Sequence, residues 1–273
     1  MPLLRFSLFG QHVTVACETS EPAAVLGTVY GAFACSDEPA PDGALAYTIG
    51  DGPAGGFQLR RGAEDLPRAD GTGMLLFLFE QDLVVELQKR RRDLYFLHAA
   101  VLERDGRALL LVAESGGGKS TTTWGLLHHG FRYASDELAP VDLSTGRVHG
   151  FPHALCLKAD PPAPYPLPDG VLRTSRSRHV PVGLLPSTLA PSPLPPDAIV
   201  FLRHRPDLER PAIRPMSAAE AAARLYTQAL NPLAHPADGI DAALQVVRGV
   251  RCFGLETADL GATCALVVRT LFG

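Results

Sequence analysis

The pattern of apolar and polar residues along the chain changes near residue 95. Before that position, short alternating segments such as "HVTVACE" and "GFQLRR" lie between turn-rich stretches such as "PAPDGA", a pattern typical of β-strands. This part ends with "MLLFLFEQDLVVELQKRRRD", in which apolar residues recur at helical spacing. We therefore predict a small β-rich α+β domain over residues 1–95 that closes with a helix.

After residue 95, predicted strands and helices alternate. The apolar runs "FLHAAVLE" and "RALLLVA" are joined by Asp105-Gly106, a dipeptide that favours a hairpin turn. A glycine-rich loop follows, then a helix from about Lys119 to Gly130, a strand "FRYA" and a hairpin that turns at residues 144–146. Residues 159–196 are rich in proline and are predicted to lack regular elements. The strand "AIVFLR", a helix capped by Ser217 and a final helix, strand and helix complete an α/β domain over residues 96–273.

Composition narrows the range of partners. The chain has 273 residues, is 46% hydrophobic and carries a formal net charge of −4, so nothing predicts binding to nucleic acid. No apolar run is long enough to cross a membrane, and "MPLLRFSLFG" lacks the features of a signal peptide. The five cysteines are scattered, without a C-x-x-C pair, which indicates reduced thiols. We expect a cytoplasmic protein.

The stretch "AESGGGKS" has the composition of a phosphate-binding loop. A strand precedes it and a helix follows it, so the backbone N–H groups and the helix N-terminus can face an anion. In such loops the lysine reaches the β and γ phosphates and the next hydroxyl binds Mg²⁺, which gives these roles to Lys119 and Ser120. Ala113 stands where the usual pattern has glycine. Alanine is small enough to allow the turn.

An acidic pair, Asp136 and Glu137, follows the next strand, 17 residues after Lys119 for Asp136. One helix and one strand span that interval, so the pair is expected to return beside the loop. An aspartate in that position can hold Mg²⁺ or take a proton from an attacking hydroxyl.

With its loop and acidic pair, "AESGGGKS…GFRYASDE" resembles the catalytic domain of the HPr kinase/phosphorylase family, which includes lasso-peptide tailoring kinases. The resemblance implies a P-loop kinase domain that binds ATP and Mg²⁺. It implies that Asp136 is the catalytic base, that Glu137 is its acidic neighbour on the metal side, and that His98 contacts the transferred phosphate. Lys119 would stabilise the transferring phosphate. The implied nucleotide site is Ser115, Gly116, Gly117, Gly118, Lys119, Ser120 and Thr121, and the implied metal site is Ser120, Asp136 and Glu137.

The resemblance implies transfer of the γ-phosphate of ATP to a hydroxyl. We expect the acceptor to be a serine of a peptide or protein, with a small-molecule hydroxyl as the alternative, and a homo-oligomer is possible. The family also has a glycine-rich signature with a glutamate after the acidic pair. "VHGFPHALCLK" occupies that region here, which leaves the reverse phosphorylase reaction and HPr as a substrate unsupported.

Several alternatives stay open at this point. Lys158 and the cluster Arg173, Arg176 and Arg178 are either phosphate contacts or solvated surface charges. A nucleotide-sensing or peptide-binding module without catalysis would use the same loop. An ABC-type ATPase fits less well, because "LSGGQ" and a distant apolar strand ending in Asp-Glu are absent.

Overall fold

Four β-sheets and six α-helices form the described part of this mixed α/β protein, a computed structural model that describes residues 1–36, 41–52 and 55–273. Within those ranges, none of the helices has the length and apolar character that crossing a bilayer would require.

The first sheet has five strands in chain order, β1-β2-β3-β4-β5, and two helices accompany it. Alternate residues of its strands are buried, as the alternating sequence pattern predicts. The helix predicted before residue 95 is confirmed and has 19 residues. The elements are β1 (Leu3–Leu8), β2 (Gln11–Cys17), α1 (Ser20–Tyr30), β3 (Leu45–Asp51), β4 (Phe57–Arg61), β5 (Glu64–Asp65) and α2 (Thr72–Arg90).

The core beneath the first sheet takes residues from beyond position 95. Phe96, Leu138, Phe151 and Ala154 belong to the same apolar cluster as the strands of this sheet. The backbone N–H of Ala154 also donates to the carbonyl of Val29 at 2.8 Å. The two-domain division at residue 95 stays a prediction.

The rest of the chain forms a six-stranded sheet and two three-stranded sheets. The larger sheet has the order β16-β17-β15-β8-β7-β9, in which β8, β15 and β17 are parallel neighbours; the smaller ones are β11-β10-β6 and β12-β14-β13. The elements are β6 (Leu94–His98), β7 (Ala100–Arg104), β8 (Arg107–Val112), α3 (Lys119–Leu127), β9 (Arg132–Ser135), β10 (Leu138–Asp142), β11 (Arg147–Val148), β12 (Leu155–Leu157), β13 (Leu172–Arg173), β14 (Arg178–Val180), β15 (Pro196–His204), β16 (Ala212–Pro215), α4 (Ala218–Tyr226), α5 (Ile240–Val247), β17 (Arg251–Thr257) and α6 (Leu260–Phe272).

The predicted hairpin at Asp105-Gly106 is confirmed. Both residues have positive φ, 54° and 78°, which is the backbone conformation of a type I′ turn. The run predicted as one strand before this turn divides at Ala99 instead. Its first half, β6, pairs with β10, whereas its second half, β7, joins the six-stranded sheet.

The prediction that residues 159–196 lack regular elements is wrong in part. β13 and β14 lie in this region and pair with each other, and β14 also pairs with β12. The reason is local, because residues 171–180 contain no proline and can therefore donate every backbone N–H to a partner strand.

Candidate active site

The glycine loop connects the end of β8 to the start of α3. Gly116 and Gly118 have φ values of 84° and 91°, a left-handed conformation that strains any residue with a side chain. At Gly117 a side chain would lie 3.0 Å from the Cβ of Ala113 and from the carbonyl oxygen of Glu114. Two of the three glycines are thus favoured by the backbone conformation, and the third by its close approach to Ala113.

Helix α3 begins where this loop ends, and no side chain of the described residues caps its N-terminus. The first N–H groups of a helix have no acceptor within the helix and carry a partial positive charge, so they favour an anion. Ser120 and Thr121 are half-buried at this end, and Ser115 is exposed on the loop. This arrangement of loop, helix end and hydroxyls is suited to holding phosphate oxygens.

Lys119, His98 and Glu137 meet at the end of the loop. The Nζ of Lys119 donates to Oε2 of Glu137 at 3.2 Å, and Nε2 of His98 lies 2.8 Å from the same oxygen. The pairing of β10 with β6 explains the contact, because it sets Leu138 opposite His98 and so brings the preceding residue beside the histidine. These three residues, predicted from separate parts of the sequence, form one cluster.

The surroundings of Glu137 keep its carboxylate ionised. Burial by itself would raise the pKa of this carboxyl group, but the hydrogen bond with His98 and the charge of Lys119 outweigh it, so the pKa falls to about 2. Glu137 is still one-third exposed, and its Oε1 has no partner among the described residues. That oxygen is available to a molecule bound at the loop.

Asp136 faces the opposite way and has no exposed surface. Its Oδ1 accepts a hydrogen bond from the Tyr133 hydroxyl at 2.7 Å, and its Oδ2 accepts one from the backbone N–H of Cys156 at 2.9 Å. Burial raises its pKa above the usual value, and Glu137 adds to that shift. No hydrogen bond joins Asp136 to Lys119 or His98 among the described residues, and its predicted roles as base and metal ligand stay predictions.

Two residues near Asp136 were missed by the sequence analysis. His153 is buried between two carboxylates, with Nδ1 3.5 Å from Oδ1 of Asp136 and Nε2 3.6 Å from Oε1 of Glu80. Glu80 lies on α2, and its Oε2 also accepts a hydrogen bond from Tyr30 at 3.0 Å. No sequence signal connects Glu80 with His153, because 73 residues separate them and only the tertiary fold brings them together.

The structure separates the basic residues whose role the sequence left open. Lys158, at the end of β12, donates from Nζ to the hydroxyl of Ser115 at 2.9 Å and so contacts the loop directly. Arg173 and Arg178 both bind the exposed carboxylate of Asp160, at 2.9 and 3.3 Å. Arg176 is the member of the arginine cluster that lines a cavity shared with Lys158 and Glu137. The three arginines therefore do not form a single phosphate-binding group.

Two cavities adjoin the cluster and the loop. One, of about 860 Å³, is lined by residues 114–117, the end of β15 and one side of α4. The other, of about 580 Å³, is lined by His98, Glu137, Lys158 and a long face of α2. The site thus has room for ligand on both sides.

The donors around the loop are compatible with Mg²⁺ held mainly by a phosphate ligand. Among the described residues, no group of three or more His, Cys, Asp or Glu side chains could hold a metal by itself. Mg²⁺ in phosphate sites commonly keeps water and substrate oxygens, with only one or two protein donors. Ser120 and Glu137 are oxygen donors of the kind that such an ion needs.

Comparison with known proteins finds similarity to solved structures only. No protein-family model matches the chain, and no curated protein matches it either. Among solved structures, the chain is similar to the Hpr(Ser) kinase/phosphatase from Coxiella burnetii, with 13% identity and a TM-score of 0.32. The match covers 64% of this chain and 93% of that one. A similarity of this size carries no conclusion about chemistry.

Proposed function

We propose that this protein is an ATP-dependent phosphotransferase that moves the γ-phosphate of ATP to a hydroxyl group of a peptide or protein. In this proposal, residues 96–273 are a P-loop kinase domain of the HPr kinase type, preceded by a small β-rich domain. The observation that carries the proposal is the cluster of Lys119, Glu137 and His98 at the end of the glycine loop, where a loop-bound phosphate would meet a cation and an accessible carboxylate.

The two cavities support an orientation for ATP. The transferring phosphate must lie on the side of the loop where Lys119 and Glu137 meet, which is the side of the 580 Å³ cavity. The nucleoside then extends the other way, into the 860 Å³ cavity beside Arg203 and His204 at the carboxyl end of β15. Ligands of open α/β sheets bind at this edge, outside the carboxyl ends of the parallel strands.

Lys119 links binding to chemistry. Its ammonium pairs with Glu137, and the negative charge of the β and γ phosphates attracts it toward the loop. Because Lys119 is one of the charges that lower the pKa of Glu137, weakening this pair raises that pKa and makes the carboxylate a stronger base. His98 remains hydrogen-bonded to Oε2 of Glu137, and Oε1 accepts the proton of the attacking hydroxyl.

Ser120 would hold Mg²⁺ together with the phosphates and water. When bound, the ion offsets charge on the phosphate oxygens. Asp136 serves in this proposal as a buried anchor: its bonds to Tyr133 and Cys156 fix the turn that presents Glu137.

Matched amide substitutions test this division of roles. Glu137→Gln keeps the side-chain size but loses the base, so phosphate transfer is expected to fall ~10²–10⁴-fold. ATP affinity is expected to stay equal or to rise, because the competing partner of Lys119 loses its charge. Glu18→Gln, at an exposed position that lines neither cavity, is the matched control and is expected to transfer phosphate at the normal rate. Full activity in Glu137→Gln would remove the role proposed for this residue.

A further inference from the structure

The 580 Å³ cavity continues far from the loop along one face of α2. Its lining extends from Gly73 to Gln88, which is about 22 Å of helix at ~1.5 Å per residue. Phe77 and Val85 are 48% and 45% exposed on this face, and Leu230 on the opposite side is 41% exposed. We call this surface the α2 groove; it is defined by Leu76, Phe77, Val84, Val85 and Leu230.

The charges at the loop end of the α2 groove differ from those along its length. Lys158 has only the neutral hydroxyl of Ser115 as a partner, and Arg176 forms no ion pair among the described residues. Both cations line the cavity close to Glu137. Along α2 the apolar residues of the groove are interspersed with Glu80, Gln81 and Gln88, and two cations without a carboxylate partner in the described part of the chain lie where the groove reaches Glu137.

We infer that the α2 groove binds an extended peptide segment that carries the acceptor hydroxyl, with apolar side chains along α2 and an acidic residue beside the hydroxyl. This inference rests on the proposed function, because Glu137 defines where the hydroxyl lies. The length of the groove favours a peptide: at ~3.3 Å per residue, about seven residues in extended conformation span 22 Å, whereas a small alcohol would occupy only the end at Glu137. The cations provide the charge complementarity for the acidic residue.

Peptide binding without nucleotide tests the groove separately from catalysis. The probe is a fluorescein-labelled nonapeptide with leucine and valine in one half and Ser-Glu in the other; its partner has serine and glutamine in place of the apolar residues. Fluorescence anisotropy with the full chain is expected to show at least ten-fold tighter binding of the apolar peptide, because it covers exposed apolar surface. Equal binding of the two peptides, or no binding of the apolar one, would overturn the inference.

Paired variants locate the binding surface. Phe77→Asp with Val85→Asp is expected to weaken binding of the apolar peptide at least ten-fold. Ile240→Asp with Leu244→Asp changes two similarly exposed apolar residues on α5 and is expected to leave binding unchanged. Unchanged binding in the α2 variant contradicts the inference.

The charged end of the groove has its own test. Arg176→Gln is expected to weaken binding of the Ser-Glu peptide and not of a Ser-Gln version, and equal weakening of both contradicts the role of charge. A wrong proposed function gives a different result. In that case the protein transfers no phosphate, while the peptide still binds to the wild-type chain and to Glu137→Gln.

Discussion

The buried histidine His153 gives the stability of the protein a pH dependence that can be worked out from its neighbours. Burial by itself would lower the pKa of this imidazole. The charge and hydrogen bond of Glu80, together with the charges of Asp136 and Glu137, outweigh burial and raise the pKa to about 9 from the usual 6.5. The folded protein therefore holds a proton on His153 that the unfolded chain releases near pH 6.5.

The sign and size of the effect follow from this difference. A group whose pKa is raised by folding contributes its full stabilisation below the pKa of the unfolded chain, and that contribution is lost as the pH rises through the folded value. The interval from 6.5 to about 9 corresponds to about 3 kcal/mol of unfolding free energy. Stability is thus expected to decline between pH 6.5 and 9 by up to this amount from His153.

Urea unfolding at pH 6.5 and pH 9.5 measures the effect. The comparison is with a double variant, His153→Gln with Glu80→Gln, which removes the titrating group and its main partner together; Asp136 keeps its hydrogen bonds from Tyr133 and Cys156. Subtracting the two pH differences cancels the titration of tyrosines and cysteines elsewhere. Between pH 6.5 and pH 9.5, we expect the unfolding free energy of the wild type to fall by about 3 kcal/mol more than that of the variant. Equal losses in both proteins would refute the reasoning.

Two further predictions concern the turn at Glu137 and the cations of the groove. Asp136→Asn is expected to lower the unfolding free energy by about 1–3 kcal/mol in chemical denaturation, since one of its two buried donors loses an acceptor; unchanged stability would contradict the anchoring role. Arg176→Ala is expected to reduce phosphate transfer in a steady-state assay, whereas Arg173→Ala, whose partner is the exposed Asp160, is expected to leave it unchanged, and the reverse order would contradict the assignment.

The sequence predicted those parts of the fold that depend on neighbouring residues. The helix α2, the hairpin at Asp105-Gly106 and the strand, loop and helix around Lys119 follow from local spacing and turn chemistry. The division of one apolar run at Ala99 does not follow from local spacing, because the two halves pair with strands from different sheets. The short strands β13 and β14 were not predicted either, because proline-rich sequence lies on both sides of them.

The candidate site shows the same limit. Lys119, His98 and Glu137 were all predicted, and the structure brings them into contact. Which member of the acidic pair faces the loop was not predictable, since adjacent residues point in different directions and only the tertiary pairing decides the outcome. The pair of Glu80 and His153 needed the docking of α2, which no local pattern encodes.

Calorimetric titration of ATP with Mg²⁺ into the Lys119→Met variant tests the central claim most directly. Lys119 is only 7% exposed, so methionine keeps the packing of its stem while removing the charge that the phosphates require. Lys89→Met, which removes the charge of an exposed lysine that lines neither cavity, is the matched control. The account predicts at least ten-fold weaker ATP binding in Lys119→Met, with the fold retained by circular dichroism. Unchanged affinity in the folded variant would contradict the claim that this loop holds the phosphates.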